Sequence, residues 1–223
     1  MSQELHPIEV ERLSAERDFL HQRARREEAA ANLEQDKWKM STTSPFDTRT
    51  LSMYEVTQTS VEFVIGTLNQ WAAQDRHDPD RIDWTLRISS PGGSAIAGFA
   101  LIDVIQKYQS EGFIINTEGY GMVASMGGVL LQVGNTRRLG RNCYMLIHEV
   151  SGGAGGSIGQ IEDQQKFLTS VNKRCREILE SRASISKRAF TQAWNRKDWW
   201  MEADEALKLG FADEIIEAYD HAA

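Results

Sequence analysis

The alternation of short apolar strand patterns with helices of amphipathic spacing is the feature that most limits how this chain can fold. From residue 46 onward, apolar residues alternate over 84–88 as in a strand, whereas those over 59–73 follow helical spacing. The same change from strand to helix recurs towards the end of the chain. Repeated strand–helix units favour parallel strands joined by helical crossovers. The sequence therefore predicts an α/β fold with a largely parallel sheet.

The first part of the chain has a different character. Residues 10–39 carry many charges of both signs, contain no glycine and have few apolar positions. Such a pattern is typical of a solvated or partner-dependent helix. A polar break follows at 41–45. We therefore predict a charged, helical N-terminal arm over residues 1–45 and one larger domain over residues 46–223.

Composition and charge exclude several classes of function. The 223 residues are 41% hydrophobic and carry a formal net charge of −7, without a basic stripe of the kind that binds nucleic acid. Two cysteines, Cys143 and Cys175, are too few for a disulfide framework and lack metal-site spacing. The N-terminus has no apolar signal segment, and no apolar run approaches a membrane span. We expect a cytoplasmic protein with no metal, no nucleic-acid partner and no membrane association.

Ser125 lies in a Gly-rich run, residues 119–128, between a predicted strand over 113–117 and a predicted helix over 126–133. A serine at the start of a helix can expose its hydroxyl beside backbone N–H groups and the positive helix terminus. That setting suits a nucleophile. The alternative is an ordinary serine N-cap in a Gly-rich turn.

Other residues can complete a hydrolytic site. His148 ends a predicted strand and precedes a Gly-rich stretch, which is where a site is expected in an α/β fold. The turn over residues 90–94 has no P-loop lysine, so its glycines suit an oxyanion hole better than a phosphate site. A triad also requires an acid. Spacing alone does not choose among the acids beyond His148, which include Glu149, Glu162, Asp163, Asp198, Asp204 and Asp213.

Taken together, these segments resemble the proteolytic subunit of Clp protease, a self-compartmentalising serine peptidase. The resemblance covers about residues 51–218. Its motifs are the glycine loop at 89–98, the nucleophile segment at 121–127, the histidine strand at 145–148, the handle region from 152 and the closing segment at 197–213.

The resemblance implies a role for each site residue. Ser125 would be the nucleophile, His148 the general base and Asp198 the triad acid. The backbone N–H groups of Gly93 and Met126 would form the oxyanion hole. Residues Gly152, Gly153 and Ala154 would hold the substrate backbone as an added strand.

The resemblance also implies an architecture and partners. The fold would be the α/β fold shared by Clp proteases and crotonases, with a protruding handle made of a strand and a long helix. Stacked, heptameric homo-oligomeric rings would enclose unfolded polypeptide substrates. The subunit itself would use no cofactor, and ATP would act only through a partner unfoldase of the AAA+ class.

The family's docking pocket for that unfoldase is apolar, but this chain has Thr85, Arg87 and Lys107 at the matching positions. These polar groups would weaken the docking of an apolar loop. The chain also has Glu149 directly after His148, where the family has glutamine followed by proline.

Four functions remain open at this stage. The first is a housekeeping Clp-type serine endopeptidase that is fed by an ATPase. The second is a specialised protease of the viral head-maturation type that acts without one. The others are a crotonase-type acyl-CoA enzyme and a catalytically silent ring subunit.

Overall fold

The computed structural model describes residues 48–195 and 198–217. The arm predicted for residues 1–45 lies outside these ranges. No helix in the described ranges has the length and apolar character needed to cross a membrane.

Seven strands and six helices alternate along the described chain. In order they are β1 (Thr50–Met53), α1 (Gln58–Asp75), β2 (Trp84–Ser90), α2 (Ala95–Ser110), β3 (Ile115–Ala124), α3 (Met126–Leu131), β4 (Arg137–Gly140), β5 (Tyr144–Ile147), α4 (Ile158–Glu180), α5 (Lys187–Trp194), β6 (Trp199–Glu202), α6 (Ala203–Lys208) and β7 (Glu214–Ile216).

The strands form one sheet whose main path has the order β1-β2-β3-β4-β7, with every neighbouring pair parallel. The long strand β3 has two partners on one side. Its first half pairs with β4, and its last three residues pair with β5. Strand β6 is antiparallel to β5. The structure therefore confirms the predicted α/β fold with a largely parallel sheet.

The core lies where the helices pack on the sheet. Alternate residues of β2 are buried, and one of them, Trp84, packs edge-on against Trp71 of α1 at 5.7 Å between ring centroids. Its indole N–H donates to the Asp75 carboxylate at 3.0 Å. Asp75 also accepts a hydrogen bond from Arg49 at 2.8 Å, so this buried carboxylate joins the start of β1 to the end of α1.

The handle differs in part from the prediction. Its long helix is α4, which begins with a capping box between Ser157 and Gln160. The residues before it, 152–155, are exposed and belong to no strand. The handle strand is therefore absent from the described chain, and the recorded contacts of this segment are with α4, where the Gly155 N–H donates to the Gln164 side chain at 2.9 Å.

Candidate active site

Ser125 lies at the junction between β3 and α3. Its φ of 54° and ψ of −123° place it in a backbone region that residues other than glycine rarely adopt. The Ser125 N–H donates to the Leu146 carbonyl at 2.9 Å, which fixes the turn to β5. Ser125 occupies the N-cap position of α3, yet its side chain makes no capping hydrogen bond. The N-cap alternative is therefore wrong, and the hydroxyl is not used to hold the helix.

Two glycines pack the 90–94 turn against this junction. A Cβ atom on Gly92 would lie 2.6 Å from the Ser125 Cβ atom, so only glycine allows this approach. Gly93, at φ 141°, forms a bridge with Val56. The bridge hydrogen bonds use the Gly92 carbonyl and the Ser94 N–H, which leaves the Gly93 N–H outside them.

Met126 supplies a second backbone donor beside Ser125. It is the first residue of α3, and the first N–H groups of a helix have no acceptor within the helix. The positive end of the helix also lies at this point. Met126 and Gly93 line the same cavity as Ser125, so two backbone amides are available beside the hydroxyl.

His148 follows β5 directly, and the sheet register brings it to Ser125. Ala124 is paired with Leu146 in the parallel β3–β5 ladder, so Ser125 and His148 leave adjacent strands at the same edge. Ile147 is paired with Trp199 in the antiparallel β5–β6 ladder. Continuing this register by one residue places Asp198 opposite His148.

The separation of Asp198 and His148 is 3.9 Å from carboxylate Oδ1 to imidazole Nδ1. This is within ion-pair range but too long for a hydrogen bond. The Asp198 side chain is 68% exposed, whereas the His148 side chain is 26% exposed. Catalytic hydrogen bonds are often long in ligand-free enzymes and shorten when substrate binds, so this geometry is compatible with a triad.

Most of the other candidate acids have different partners. Asp213 pairs with Arg137 and Arg182, Asp204 with Arg141, and Asp163 with Lys166. Among the acids considered from the sequence, Asp198 is the one for which the structure records an ion pair with His148.

A cavity of about 250 Å³ opens beside these groups. Its walls bring together the serine, the histidine and the two backbone donors. The rest of its lining is mainly apolar and comes from α3, α4 and α5, including Val129, Phe167, Leu168, Val171, Leu179 and Trp194. These wall residues are not among the candidates named from the sequence, although apolar residues at 167, 171, 175 and 179 recur at helical spacing along α4.

The predicted substrate-binding residues Gly152, Gly153 and Ala154 form an exposed segment that starts at the cavity rim. The residue before them, Ser151, lines the cavity. A Cβ atom on Gly152 would lie 3.0 Å from the Leu168 side chain, while one on Gly153 would meet nothing within 4 Å. The segment therefore has room on one side for an extended chain.

Cys175 also lines the cavity but is a poor nucleophile. Burial raises the pKa of its thiol to about 11, so little thiolate forms near neutral pH. Burial likewise raises the pKa of Cys143 to about 12. Among the described residues, no group of three His, Cys, Asp or Glu side chains is arranged to hold a metal ion.

Two of the three positions that differ from the family's docking pocket, Arg87 and Lys107, carry paired charges. Arg87 donates to Glu118 at 3.0 Å, Arg138 lies 3.6 Å from Glu118, and Arg138 donates to Glu214 at 2.8 Å. These four residues are register partners on β2, β3, β4 and β7, and we call them the charge ladder. Lys107 is paired with Glu111 at 3.0 Å.

Comparison with known proteins gives consistent similarities. The model of the Clp protease family matches residues 34–219. The ATP-dependent Clp protease proteolytic subunit 2 of Tropheryma whipplei (strain Twist) is 38% identical over 140 residues, covering 62% of this chain and 76% of the relative. The ATP-dependent Clp protease proteolytic subunit 1 of Leifsonia xyli subsp. xyli (strain CTCB07) is 36% identical over 166 residues, covering 74% and 80%.

Proposed function

The chain belongs to the Clp protease family, and from this premise we propose that it is a serine endopeptidase that cleaves unfolded polypeptides through Ser125, His148 and Asp198. The observation that carries the proposal is the setting of Ser125. Its hydroxyl is free of a capping role, its backbone is held at positive φ, and it shares one cavity with His148 and two backbone donors.

In the first step, His148 takes the proton from the Ser125 hydroxyl as its oxygen attacks the peptide carbonyl. Asp198 stabilises the imidazolium that forms and holds the ring in the productive orientation. The carbonyl oxygen becomes negatively charged as the tetrahedral intermediate forms. The N–H groups of Gly93 and Met126 stabilise that charge, which is the role of an oxyanion hole.

In the second step, His148 returns the proton to the leaving amine and the acyl–Ser125 ester remains. A water molecule then attacks the ester carbonyl and gives a proton to His148. The bond between the acyl carbon and the Ser125 oxygen breaks, His148 returns that proton to the Ser125 oxygen, and the second product leaves with a new carboxyl group. The active site thereby returns to its starting protonation state. No cofactor is required at any step.

The exposed segment of Gly152, Gly153 and Ala154 holds the substrate backbone. An extended substrate adds to this segment as a strand, and the new main-chain hydrogen bonds make binding largely independent of sequence. This addition supplies the strand partner that the segment lacks in the described chain.

We further propose that the subunits assemble into stacked rings that enclose a proteolytic chamber in the cytoplasm. Residues 1–45 form a separate charged arm ahead of the catalytic domain at 46–223. Deleting the arm and measuring the particle mass tests whether it controls ring formation. An unchanged mass would contradict such control.

The charge ladder favours a second version of this function, a protease that acts without an apolar-loop ATPase. Arg87 and Arg138 are both paired, so inserting an apolar loop over them would remove water from charges without offering them new partners. The test is hydrolysis of an unfolded protein such as casein by the isolated particle. Hydrolysis that requires an added unfoldase would contradict this version.

A fluorophosphonate probe tests the nucleophile. We expect one labelled site per chain, at Ser125, and we expect Ser125→Ala to abolish both labelling and peptide hydrolysis. Ser89→Ala is the matched control, because Ser89 is also half-buried but lies on β2 outside the cavity. This control should be labelled like the unchanged protein.

Three results would count against the proposal. Labelling that persists in Ser125→Ala would show that another residue is the nucleophile. An assembled, folded particle that is neither labelled nor active would indicate a silent ring subunit. Turnover of an acyl-CoA in place of peptides would indicate the crotonase-type alternative.

A further inference from the structure

A groove runs along α2 and α4, beginning at the catalytic cavity. One face of α2 lines it through Ile96, Phe99 and Asp103, which are spaced by three and four residues and so lie on the same side of the helix. One face of α4 lines it through Phe167 and Val171. The groove has a volume of about 380 Å³ and an apolar floor.

The groove and the catalytic cavity are continuous. Ile96, Phe167 and Val171 line both, so the groove adjoins the cavity at these three side chains. Ile96 and Phe167 are 53% and 55% exposed, which is unusual for large apolar side chains at the junction of two cavities. Covering them would be favourable.

The groove is lined by two charged side chains, Asp103 on α2 and Arg174 on α4. Within residues 48–195 and 198–217, no cation lies within ion-pair distance of the Asp103 carboxylate. Arg174, on the opposite side, has Glu177 at 3.9 Å. Glu177 also has Lys173 at 3.8 Å, so the feature that distinguishes the groove is the carboxylate of Asp103, which is free to pair with a cation of a bound chain.

From these observations we propose that the α2–α4 groove is a substrate subsite that takes an apolar residue followed by a lysine or arginine. The apolar side chain packs on Ile96, Phe99 and Phe167, and the cation pairs with Asp103. The inference rests on the proposed function, because the groove contacts substrate only if cleavage occurs at Ser125.

Helix geometry gives the spacing of this preference. Seven residues separate Ile96 from Asp103 on α2, which corresponds to about 10 Å along the helix axis. An extended peptide advances about 3.3 Å per residue. The basic residue therefore lies about three positions beyond the residue that occupies the junction with the cavity.

A lysine scan along a fluorogenic peptide tests the subsite in the assembled, full-length protein. Each lysine peptide is compared with its norleucine counterpart, which has a similar length but no charge. We expect one position, several residues from the scissile bond, at which lysine raises kcat/KM by about two- to fivefold through a lower KM, as for a partly exposed ion pair.

Variants then connect the preference to Asp103. Asp103→Asn should remove the difference between lysine and norleucine at that position, with kcat unchanged. Asp103→Lys should reverse the preference in favour of glutamate. Glu62→Lys is the matched control, because Glu62 is also an exposed helical acid but lines neither the cavity nor the groove, and it should keep the lysine preference.

Several outcomes would overturn the subsite. One is equal kcat/KM for lysine and norleucine at every position, and another is a preference that survives Asp103→Asn. A change of particle mass in Asp103→Lys without any change of preference would show that a second copy of the chain occupies the groove. In each case Ser125 labelling and cleavage of the parent peptide continue, whereas their absence would overturn the proposed function itself.

Discussion

Replacing Gly93 by alanine should disable catalysis while leaving the nucleophile in place. The backbone of Gly93 has φ 141°, where side chains are rarely tolerated. The new Cβ atom would lie 2.2 Å from the Val56 carbonyl oxygen and 2.9 Å from its carbonyl carbon. Both contacts are with backbone, so a side-chain rotation cannot relieve them. The 92–94 turn itself must move.

The size of the effect follows from that displacement. Ordinary contact with the Val56 oxygen requires a shift of about 1 Å, and misplacement on this scale can cost a hundredfold in rate. Removing one oxyanion-hole donor costs about 2.7–4 kcal/mol of transition-state stabilisation, or about 10² to 10³ in kcat. We therefore expect Gly93→Ala to lower kcat by about 10² to 10³, with a much smaller change in KM.

Steady-state peptide hydrolysis measures this loss, and two controls interpret it. Particle mass and thermal unfolding establish that the variant is folded and assembled. Gly66→Ala is the matched substitution, because a Cβ atom on Gly66 meets nothing within 4 Å in the exposed face of α1. It should retain full activity and gain up to about 1 kcal/mol in stability, since alanine favours helix more than glycine does.

A kcat for Gly93→Ala within about threefold of the unchanged protein would refute the reasoning, given the 10²-fold loss expected for one lost donor. It would mean either that the Gly93 N–H does not face the developing charge or that the turn absorbs the methyl group elsewhere. If Gly93→Ala lost both activity and assembly, Gly92→Ala would serve as a second variant of the same turn. A Cβ atom at Gly92 would instead meet the Ser125 Cβ atom at 2.6 Å, so this variant should also block fluorophosphonate labelling.

Three further outcomes follow from the ion pair of Arg137 with Asp213 and from the two buried cysteines. Arg137→Ala should lower the free energy of unfolding by about 3 kcal/mol, measured by urea denaturation, because this 3%-exposed side chain bonds to Asp213, Gln132 and the Gly210 carbonyl; a loss below about 0.5 kcal/mol, typical of a surface change, would contradict this. Burial raises the pKa of Asp213, but hydrogen bonds from Arg137 outweigh it and leave the pKa below its ordinary value of 3.8. The stability that this lowered pKa contributes is present above the ordinary value and is lost as the pH falls through the lower pKa of the folded state. Asp213→Asn should therefore flatten the decline of the free energy of unfolding below about pH 4. An equally steep decline in the variant would contradict the assignment. Iodoacetamide at pH 8 should modify Cys143 and Cys175 only after unfolding, as seen by mass spectrometry, because burial raises their pKa values to about 12 and 11; modification of the native protein would show that these thiols are accessible.

Helices were largely predictable because their signal is local. The predicted helix over 59–73 is α1 (Gln58–Asp75), which begins one residue earlier because the Thr57 side chain caps it by accepting from the Ser60 N–H. The helix over 126–133 is shorter than expected and ends at Leu131. Periodicity locates a helix well, whereas its ends depend on capping contacts.

Short strands were not predictable from local pattern. Strands β1, β4 and β6 have four residues each, too few to show alternation. Strand β4 also begins with two arginines, which favour a loop by composition. It exists because β3 and β7 pair with it on either side, and β7 is 76 residues away along the chain.

The same distinction applies to the candidate site. Ser125 and His148 each stand at the end of an apolar segment, so local pattern identified both. Spacing in the sequence did not identify the triad acid. The structural support for Asp198 is the antiparallel pairing of β5 with β6, and β6 is too short to be recognised from the sequence. The apolar cavity walls come from three separate helices. Their convergence is a property of packing.

The charge ladder shows how sheet register changes the meaning of a residue. In the sequence, Arg87 appears as an isolated cation at the end of an alternating strand. The parallel register places Glu118 beside it, Arg138 beside Glu118 and Glu214 beside Arg138, so charges alternate across four strands. Opposite charges on neighbouring strands stabilise the pairing, and a substitution at Arg87 leaves Glu118 with Arg138 at 3.6 Å as its remaining cation in the ladder. Arg87→Ala should therefore weaken the ion pairing of Glu118 as well as remove the charge at residue 87. An apolar docking surface could arise here only if the whole ladder were replaced.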